Sequence, residues 1–297
     1  MCKAFKLRPG AWFAIAVGIA IAVFAAFDAL GQDRLAAERL GEPTGQTVVF
    51  LPGLATGGDV FETAAIELGD IDAHLLTLAG FGGVAAPDSV DPFVEPAAAA
   101  VSDYLERADL NDVVLVGHSL GGQVALIAAG AAPDRIARVV LVDSAPFFAG
   151  LMQPGANPQL VTARREMMIE QMAGMPREAF LAMMRQGLPA QAVDGAAQEQ
   201  VFHWVSASDQ RAVAVGAAEI MAGDLRHHLD AVAAPVTLIY PTSAILSGEE
   251  IARRYAEQYD RLERFEMRPV ADSRHFVMLD QPERFVEELR RALGDDR

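Results

Sequence analysis

The sequence predicts an α/β fold, in which a mostly parallel sheet carries helices on both faces and a helical cap is inserted into it. Short apolar runs rich in β-branched residues alternate with alanine-rich or amphipathic stretches over residues 45–146 and 230–297, and this alternation is typical of a parallel sheet. No strand pattern occurs in residues 147–229. The chain has 297 residues, of which 52% are hydrophobic, and this is enough for one large domain with such an insertion.

The first 34 residues predict a signal peptide or an N-terminal membrane anchor. Basic residues Lys3, Lys6 and Arg8 precede residues 11–27, which contain no charge, and this order is typical of both kinds of segment. Two small residues stand at positions −3 and −1 of a cleavage site after Gly31. If the segment is not cleaved, its apolar helix is about 25 Å long, slightly short for a hydrocarbon core of about 30 Å. Either alternative exports the rest of the chain, as a periplasmic, secreted or anchored protein.

The rest of the chain predicts a linker followed by alternating strands and helices. Residues 32–46 are charged and contain glycine, which predicts the linker. Apolar runs predict strands at 47–51, 73–78, 113–116, 138–142, 236–240 and 264–270. Helices are predicted at 60–68, 93–108, 249–259 and 282–293, and from Gln123 onward. In parallel sheets ligands bind at the carboxyl ends of the strands, where residues 52–58, Ser119 and Asp143 all fall.

Composition excludes several classes of function. The formal net charge of −16 argues against nucleic acid and anionic membrane surfaces as partners. The only cysteine is Cys2, so one chain can build neither a disulfide framework nor a thiolate metal site. The histidines show no convincing metal-ligand spacing with a carboxylate, and the glycine-rich loop at 52–58 lacks the lysine of a P-loop. We therefore expect no metal, no organic cofactor, and membrane contact only through the N-terminal segment.

The motif on which the function depends runs Val-Val-Leu-Val-Gly-His-Ser-Leu-Gly-Gly from Val113 to Gly122. A buried strand, a sharp turn and a helix in this order force Ser119 into a strained backbone conformation above the helix N-terminus. Gly117 and Gly121 leave room for the strand and the helix to approach closely. The free N–H groups of the first helical turn favour negative charge. The motif predicts that Ser119 is a nucleophile, and the alternative is a small-residue turn that only lets a helix pack on a strand.

Residues 147–229 predict several short helices that are rich in methionine. Eight of the eleven methionines lie in this stretch, namely Met152, Met167, Met168, Met172, Met175, Met183, Met184 and Met221. Because the stretch interrupts the alternation of strands and helices, we expect a cap over the strand ends with methionines lining an adaptable apolar pocket. The alternative is a helical extension of the core in which methionines fill gaps.

Three motifs, Gly117–Gly122, Leu51–Leu54 and Arg274–Phe276, resemble the α/β-hydrolase fold family. The resemblance covers residues from about 45 to 297 and is greatest to capped serine esterases and lipases. The order of nucleophile, acid and histidine along the chain is also that of the family. Epoxide hydrolases and haloalkane dehalogenases of this family carry an aspartate as nucleophile, and Ser119 argues against both.

This resemblance implies roles for individual residues. Ser119 is the implied nucleophile and His275 its base, while the backbone N–H groups of Leu54 and Leu120 form the implied oxyanion hole. The candidate substrate-contacting residues are Gly53, His118, Phe147, Met152 and His203.

The third member of the triad departs from the usual family position. Most members place an acid after the strand that corresponds to 236–240, but here the first carboxylates are Glu249 and Glu250, in what is predicted to be the first turn of a helix. Some lipase-like and dehalogenase-like members use the position of Asp143 instead. We favour Asp143 as the acid that orients His275. Glu249, Glu250, a site without an acid, and a structural role for Asp143 are the alternatives.

Together these residues predict an exported serine hydrolase that cleaves small carboxylic esters through a covalent acyl-enzyme. The missing carboxylate after the penultimate strand motivates a second hypothesis, a catalytically inactive binding or scaffold protein on the same fold. A third hypothesis is an enzyme of different chemistry, either an acyltransferase with an acceptor other than water or a haloperoxidase-like member that needs no cofactor.

Overall fold

The structure, a computed structural model, describes residues 34–41, 45–242 and 248–294. The apolar stretch at 11–27 and the cleavage position after Gly31 lie outside these residues. In the described part of the chain, none of the helices combines the length and the apolarity that crossing a membrane requires.

Within the described residues, seven strands form one mostly parallel sheet, and this confirms the predicted fold class. The strands are β1 (Leu35–Gly41), β2 (Gln46–Leu51), β3 (Ile71–Leu78), β4 (Val113–His118), β5 (Ile136–Val142), β6 (Val236–Thr242) and β7 (Phe265–Ala271). They are ordered β1-β3-β2-β4-β5-β6-β7, with β1 antiparallel to β3 and all other neighbours parallel. The ends of β2 to β7 therefore lie along one side of the sheet, which we term the carboxyl edge.

The described residues also form twelve α-helices and two short 3₁₀-helices, the latter at 58–61 and 226–231. The α-helices are α1 (Glu62–Leu68), α2 (Val94–Arg107), α3 (Leu120–Ala131), α4 (Phe148–Met152), α5 (Pro158–Thr162), α6 (Arg165–Ala173), α7 (Arg177–Gln191), α8 (Gly195–Ala207), α9 (Gln210–Ala222), α10 (Gly248–Gln258), α11 (Val277–Asp280) and α12 (Pro282–Leu293). Helix α3 begins three residues earlier than predicted, because it starts directly after the turn at Ser119. Helices α4 to α9 all lie between β5 and β6, where no strand was predicted.

The central strands are covered on both faces of the sheet. Every residue from Val48 to Leu51 and from Val113 to His118 is buried. Successive strand residues point to opposite faces, so complete burial requires packing on both sides. Helix α2 packs with α3, and α1 packs with α12. Helix α12 turns Phe285 and Leu289 into the core, as expected for an amphipathic helix.

The prediction of a linker at 32–46 is wrong for residues 35–41, which form the edge strand β1. Its apolar residues Leu35, Ala37 and Leu40 pack against the core. The charge of Arg39, which favoured a linker in the sequence, is paired, because its guanidinium donates two hydrogen bonds of 2.6 and 2.8 Å to the carboxylate of Asp72 on β3. Only the tertiary pairing identifies this polar stretch as a strand.

Asp72 belongs to a buried polar cluster beneath β1. Its carboxylate, only 2% exposed, lies 3.4 Å from Nε2 of His74, and His74 Nδ1 is 2.6 Å from the Tyr104 hydroxyl. Burial lowers the pKa of His74 and raises the pKa of Tyr104 to about 12. Both shifts favour the neutral forms, so Arg39 and Asp72 are the charged pair of this cluster.

The variant Arg39→Ala should destabilise the fold, because it leaves the buried Asp72 carboxylate without its guanidinium partner. We expect the free energy of unfolding to fall by about 1–3 kcal/mol, measured by urea denaturation. Glu38→Ala, an exposed position on the same strand, is the matched control and should change it by less than about 0.5 kcal/mol. Equal effects of the two variants would contradict a stabilising role for the Arg39–Asp72 pair.

Candidate active site

Ser119 lies in the turn between β4 and α3, with φ 53° and ψ −120°. This is a strained backbone conformation for a residue with a side chain, and close packing imposes it. A Cβ atom at Gly117 would lie 2.5 Å from the carbonyl oxygen of Gly121, and one at Gly121 would collide with the carbonyl of Leu51. The glycines therefore allow β2, β4 and α3 to meet at distances that no other residue permits.

The backbone of Ser119 is bound to β5 and to the residues that follow β5. Its N–H donates to the Val142 carbonyl at 2.9 Å, and its carbonyl accepts a hydrogen bond of 2.7 Å from the Ser144 hydroxyl. Its own hydroxyl, on a partly exposed residue, makes no hydrogen bond within the described part of the chain. Leu120 is the first residue of α3, so its N–H is one of those that a helix leaves without an internal partner.

Asp143 follows β5 directly and holds the imidazole of His275. Its backbone has φ 42°, and its N–H donates to the Ile239 carbonyl at 2.9 Å. The Oδ2 atom lies 2.6 Å from His275 Nδ1, and the Tyr255 hydroxyl donates to Oδ1. Because a carboxylate oxygen accepts, Nδ1 carries the hydrogen and Nε2 of His275 is left free to take a proton.

His118 connects the loop after β7, which carries His275, to the turn at Ser119, which we term the serine turn. Its Nε2 lies 3.0 Å from the carbonyl oxygen of His275, and the two rings are 4.5 Å apart. Because a carbonyl can only accept, Nε2 of His118 is the donor. Burial, with a further contribution from His275, holds the pKa of His118 well below its usual value. His118 is 0% exposed, so its described contacts are packing contacts, and its assignment as a substrate contact stays a prediction.

Glu249 and Glu250 do not lie in the arrangement around His275. Both belong to the first turn of α10, where Glu249 is exposed. Glu250 forms hydrogen bonds with Arg253 and Arg254. The stretch 243–247 lies outside the described residues. Of the three candidate carboxylates, Asp143 is the one whose described contacts include the imidazole.

The loop after β2 brings Gly53 and Leu54 to the serine turn. A Cβ atom at Gly53 would lie 2.8 Å from His118 Nδ1 and 3.1 Å from Ser119 Cβ, so Gly53 is required for close packing, and its assignment as a substrate contact stays a prediction. A Cβ atom at Gly216 would lie 2.8 Å from Leu54 Cδ1 and 3.1 Å from Leu120 Cδ1. Helix α9 therefore passes directly over both residues of the predicted oxyanion hole.

The three other predicted substrate contacts differ in burial. Phe147 is buried, with the Arg226 guanidinium 4.8 Å from its ring centre. Met152 is 52% exposed at the end of α4. His203 lines a cavity of about 360 Å³ together with Glu38 and Asp59. None of the three contacts Ser119 or His275 among the described interactions, and their assignment as substrate contacts stays a prediction.

The eight methionines of the helical region divide by burial. Met152, Met167 and Met221 are exposed. The other five are partly buried and pack against the core, namely Met168, Met172, Met175, Met183 and Met184. This distribution favours the gap-filling alternative for the five, and a methionine-lined pocket stays a prediction.

Sequence reasoning missed the residues that hold the loop after β5. This loop carries Asp143, and we term it the acid loop. The Tyr259 hydroxyl donates to the Ser144 carbonyl at 2.8 Å, and Gln123 Nε2 donates to the Ala145 carbonyl at 2.9 Å. Tyr255 lies in the last turn of α10 and Tyr259 directly follows the helix. The spacing of four residues is typical of one helix face, but nothing in that spacing indicates which residues their hydroxyls bind. Within the described residues no cluster of His, Cys, Asp and Glu is suited to a metal ion.

Comparisons with known proteins identify the family and the fold of this chain. A family model described as "Alpha/beta hydrolase family" matches residues 48–288. A pimeloyl-(acyl-carrier protein) methyl ester esterase of Vibrio parahaemolyticus is 26% identical over 83% of this chain and 93% of its own. The enzyme of the same name from Nitrosospira multiformis is 25% identical over 88% of this chain and 99% of its own. A thermophilic esterase from Thermogutta terrifontis superposes with a TM-score of 0.71 at 21% identity, covering 88% of this chain and 93% of its own, and so shares the fold.

Proposed function

The chain belongs to the alpha/beta hydrolase family, and from this premise we propose that it is a serine hydrolase that cleaves carboxylic esters through a covalent acyl-enzyme. The observation that carries the proposal is the 2.6 Å hydrogen bond between Asp143 and His275 at the edge of the sheet that bears Ser119. The relatives named as methyl ester esterases support an ester as the substrate.

In the proposed reaction His275 acts as the base. Its Nδ1–H is held by Asp143, so Nε2 accepts the proton of Ser119 as the Oγ atom attacks the acyl carbon. The same proton passes to the alcohol oxygen as the ester bond breaks and the alcohol leaves. Water, deprotonated by His275, then attacks the acyl-enzyme, and the carboxylic acid is released with Ser119 restored. The unbonded Ser119 hydroxyl has to form its hydrogen bond with Nε2 when substrate binds, since catalytic contacts tighten in the complex.

Two backbone N–H groups are available for the negative charge of the tetrahedral intermediate. The Leu120 N–H belongs to the first turn of α3, where free donors and the helix dipole favour an anion. The Leu54 N–H has no hydrogen-bond partner among the described residues, and Leu54 and Leu120 meet beneath α9. We assign both as the oxyanion hole because preorganised donors stabilise charge that develops only in the transition state.

We assign residues 147–229 as a cap over this site. Support comes from two contacts that bring helices of this region onto the loop after β2. Helix α9 packs on Leu54 at Gly216, and the Trp204 indole of α8 donates to Asp59 at 3.0 Å. A cover of this kind excludes water and strengthens the electrostatic interactions beneath it.

A fluorophosphonate probe, which reacts only with an activated serine, should label the folded protein at one site. Ser119→Ala should abolish labelling, because it removes the nucleophile. Ser102→Ala, a serine on α2 whose hydroxyl bonds to the Ala98 carbonyl, is the control and should label as the wild type does. A folded wild type that takes no label would support an inactive binding or scaffold protein. Products formed with added alcohol or amine acceptors would separate acyl transfer from hydrolysis.

Asp143→Asn should lower kcat for a p-nitrophenyl ester by roughly 10²–10⁴-fold without unfolding the protein, because the amide no longer fixes the tautomer of His275. Glu249→Gln removes a second candidate acid and should retain nearly the wild-type kcat. Circular dichroism and thermal unfolding check that both variants are folded. Near wild-type turnover of Asp143→Asn would exclude Asp143 as the acid.

We also propose that the N-terminal 34 residues export the body of the protein, as a cleaved signal or as an anchor. In the anchored alternative the anchor would be joined to β1, which is antiparallel and therefore enters the sheet at the carboxyl edge, where the Ala79 N–H donates to the Arg34 carbonyl at 2.9 Å. The residues from 28 to 34 span at most about 25 Å, so an anchor at 11–27 holds this edge close to the bilayer.

Fractionation of cells that express the full chain should recover it outside the cytoplasm, because the basic residues before the apolar stretch stay on the cytoplasmic side. N-terminal sequencing then separates the two routes: a chain that begins at Gln32 was cleaved, and a chain that keeps its N-terminus in the membrane fraction is anchored. Recovery of the intact chain in the soluble cytoplasmic fraction would contradict both.

A further inference from the structure

The acid of this site reaches His275 from an unusual direction. Asp143 follows β5, whereas His275 follows β7, and β6 lies between these two strands. A single hydrogen bond between Asp143 and His275 would not fix the plane of the carboxylate, since the terminal torsion of an aspartate is broad. A second contact on the other carboxylate oxygen is needed to hold that plane.

Tyr255 provides this second contact. Its hydroxyl donates to Oδ1 of Asp143, while Oδ2 binds the imidazole. Tyr255 is only 2% exposed, and its ring packs against the ring of Tyr240 at 5.3 Å. The preceding residue, Arg254, donates hydrogen bonds to the carbonyls of Leu151 and Met152 at 3.1 and 2.9 Å. The phenol therefore approaches Asp143 from a helix that is itself bound to the start of the helical region.

Tyr255 is a donor to Asp143 that stays protonated. The titratable groups around Asp143 are His275, Tyr255 and Tyr259. Burial, and then the nearby carboxylate of Asp143, raises the pKa of Tyr255 well above its usual value. The phenol thus stays protonated where an esterase works, and it donates to Asp143 in both protonation states of His275.

We propose that Tyr255 is a positioning residue of the catalytic site, which orients the Asp143 carboxylate toward His275 and shares its negative charge. The proposal rests on the proposed function, because it assigns Tyr255 a part in the same triad. It goes beyond that function because it makes α10 the element that supports the acid loop. The acidic first turn of the same helix holds Glu249 and Glu250.

Tyr255→Phe should lower kcat for a p-nitrophenyl ester about tenfold with KM changed less than about twofold, because a hydrogen bond to a charged group is lost. The acid limb of the kcat/KM profile should move to higher pH, since the unshared charge of Asp143 favours the imidazolium. Tyr104→Phe is the matched control: it removes a tyrosine hydroxyl that lies 2.6 Å from His74 Nδ1, in the polar cluster beneath β1 and outside the arrangement around His275, and it should leave the profile in place.

A double-mutant cycle separates positioning from general destabilisation. In the Asp143→Asn background, Tyr255→Phe should cause no further loss of kcat, because its effect acts through the carboxylate. A full tenfold loss in that background, or an unmoved pH profile with kcat like that of Tyr104→Phe, would overturn the proposal. If the wild type hydrolyses no ester, the titration of the His275 ring protons, followed by nuclear magnetic resonance, tests the inference separately. A midpoint that moves to higher pH in Tyr255→Phe supports it, and an unchanged midpoint overturns it.

Discussion

Asp143 and His275 come from strands separated by β6, and their side chains meet at 2.6 Å on the carboxyl edge of the sheet. Several surrounding hydrogen bonds hold the loop that carries Asp143 in this position. The loop that carries Asp143 is bound by the Ser144 hydroxyl, which donates to the Ser119 carbonyl, and by Tyr259, which donates to the Ser144 carbonyl. A shift of the loop would therefore displace Asp143 and the serine turn together, so these two parts of the proposed triad share one support.

Glycines, which lack a side chain, make the serine turn possible. A Cβ atom at Gly117, Gly121 or Gly122 would meet backbone or side-chain atoms at distances that real structures do not show. The strained φ of Ser119 persists because this packing leaves the chain no relaxed alternative. The strained backbone of Ser119 and the close packing of the glycines are thus one feature of the fold, and they bring the turn beside the buried ring of His118.

The helical region and the edge strand both lie toward the same edge of the sheet. Helix α9 contacts Leu54 and Leu120 at Gly216, while β1 begins beside Ala79 at the end of β3. Both elements therefore approach the carboxyl edge of the sheet.

Local patterns in the chain were enough to predict the parallel sheet, the serine turn and the boundaries of helices such as α12, because apolar periodicity and glycine spacing are properties of neighbouring residues. The same patterns left the acid open among Asp143, Glu249 and Glu250 and misread β1 as a linker. Only the packing of the folded chain shows that residues 35–41 pair as a strand and that Asp143 lies beside His275. Asp143 and His275 are separated by 132 residues, and the partners of Arg39 and Tyr255 are also remote along the chain, so these contacts depend on how strands and helices pack, which no local pattern encodes.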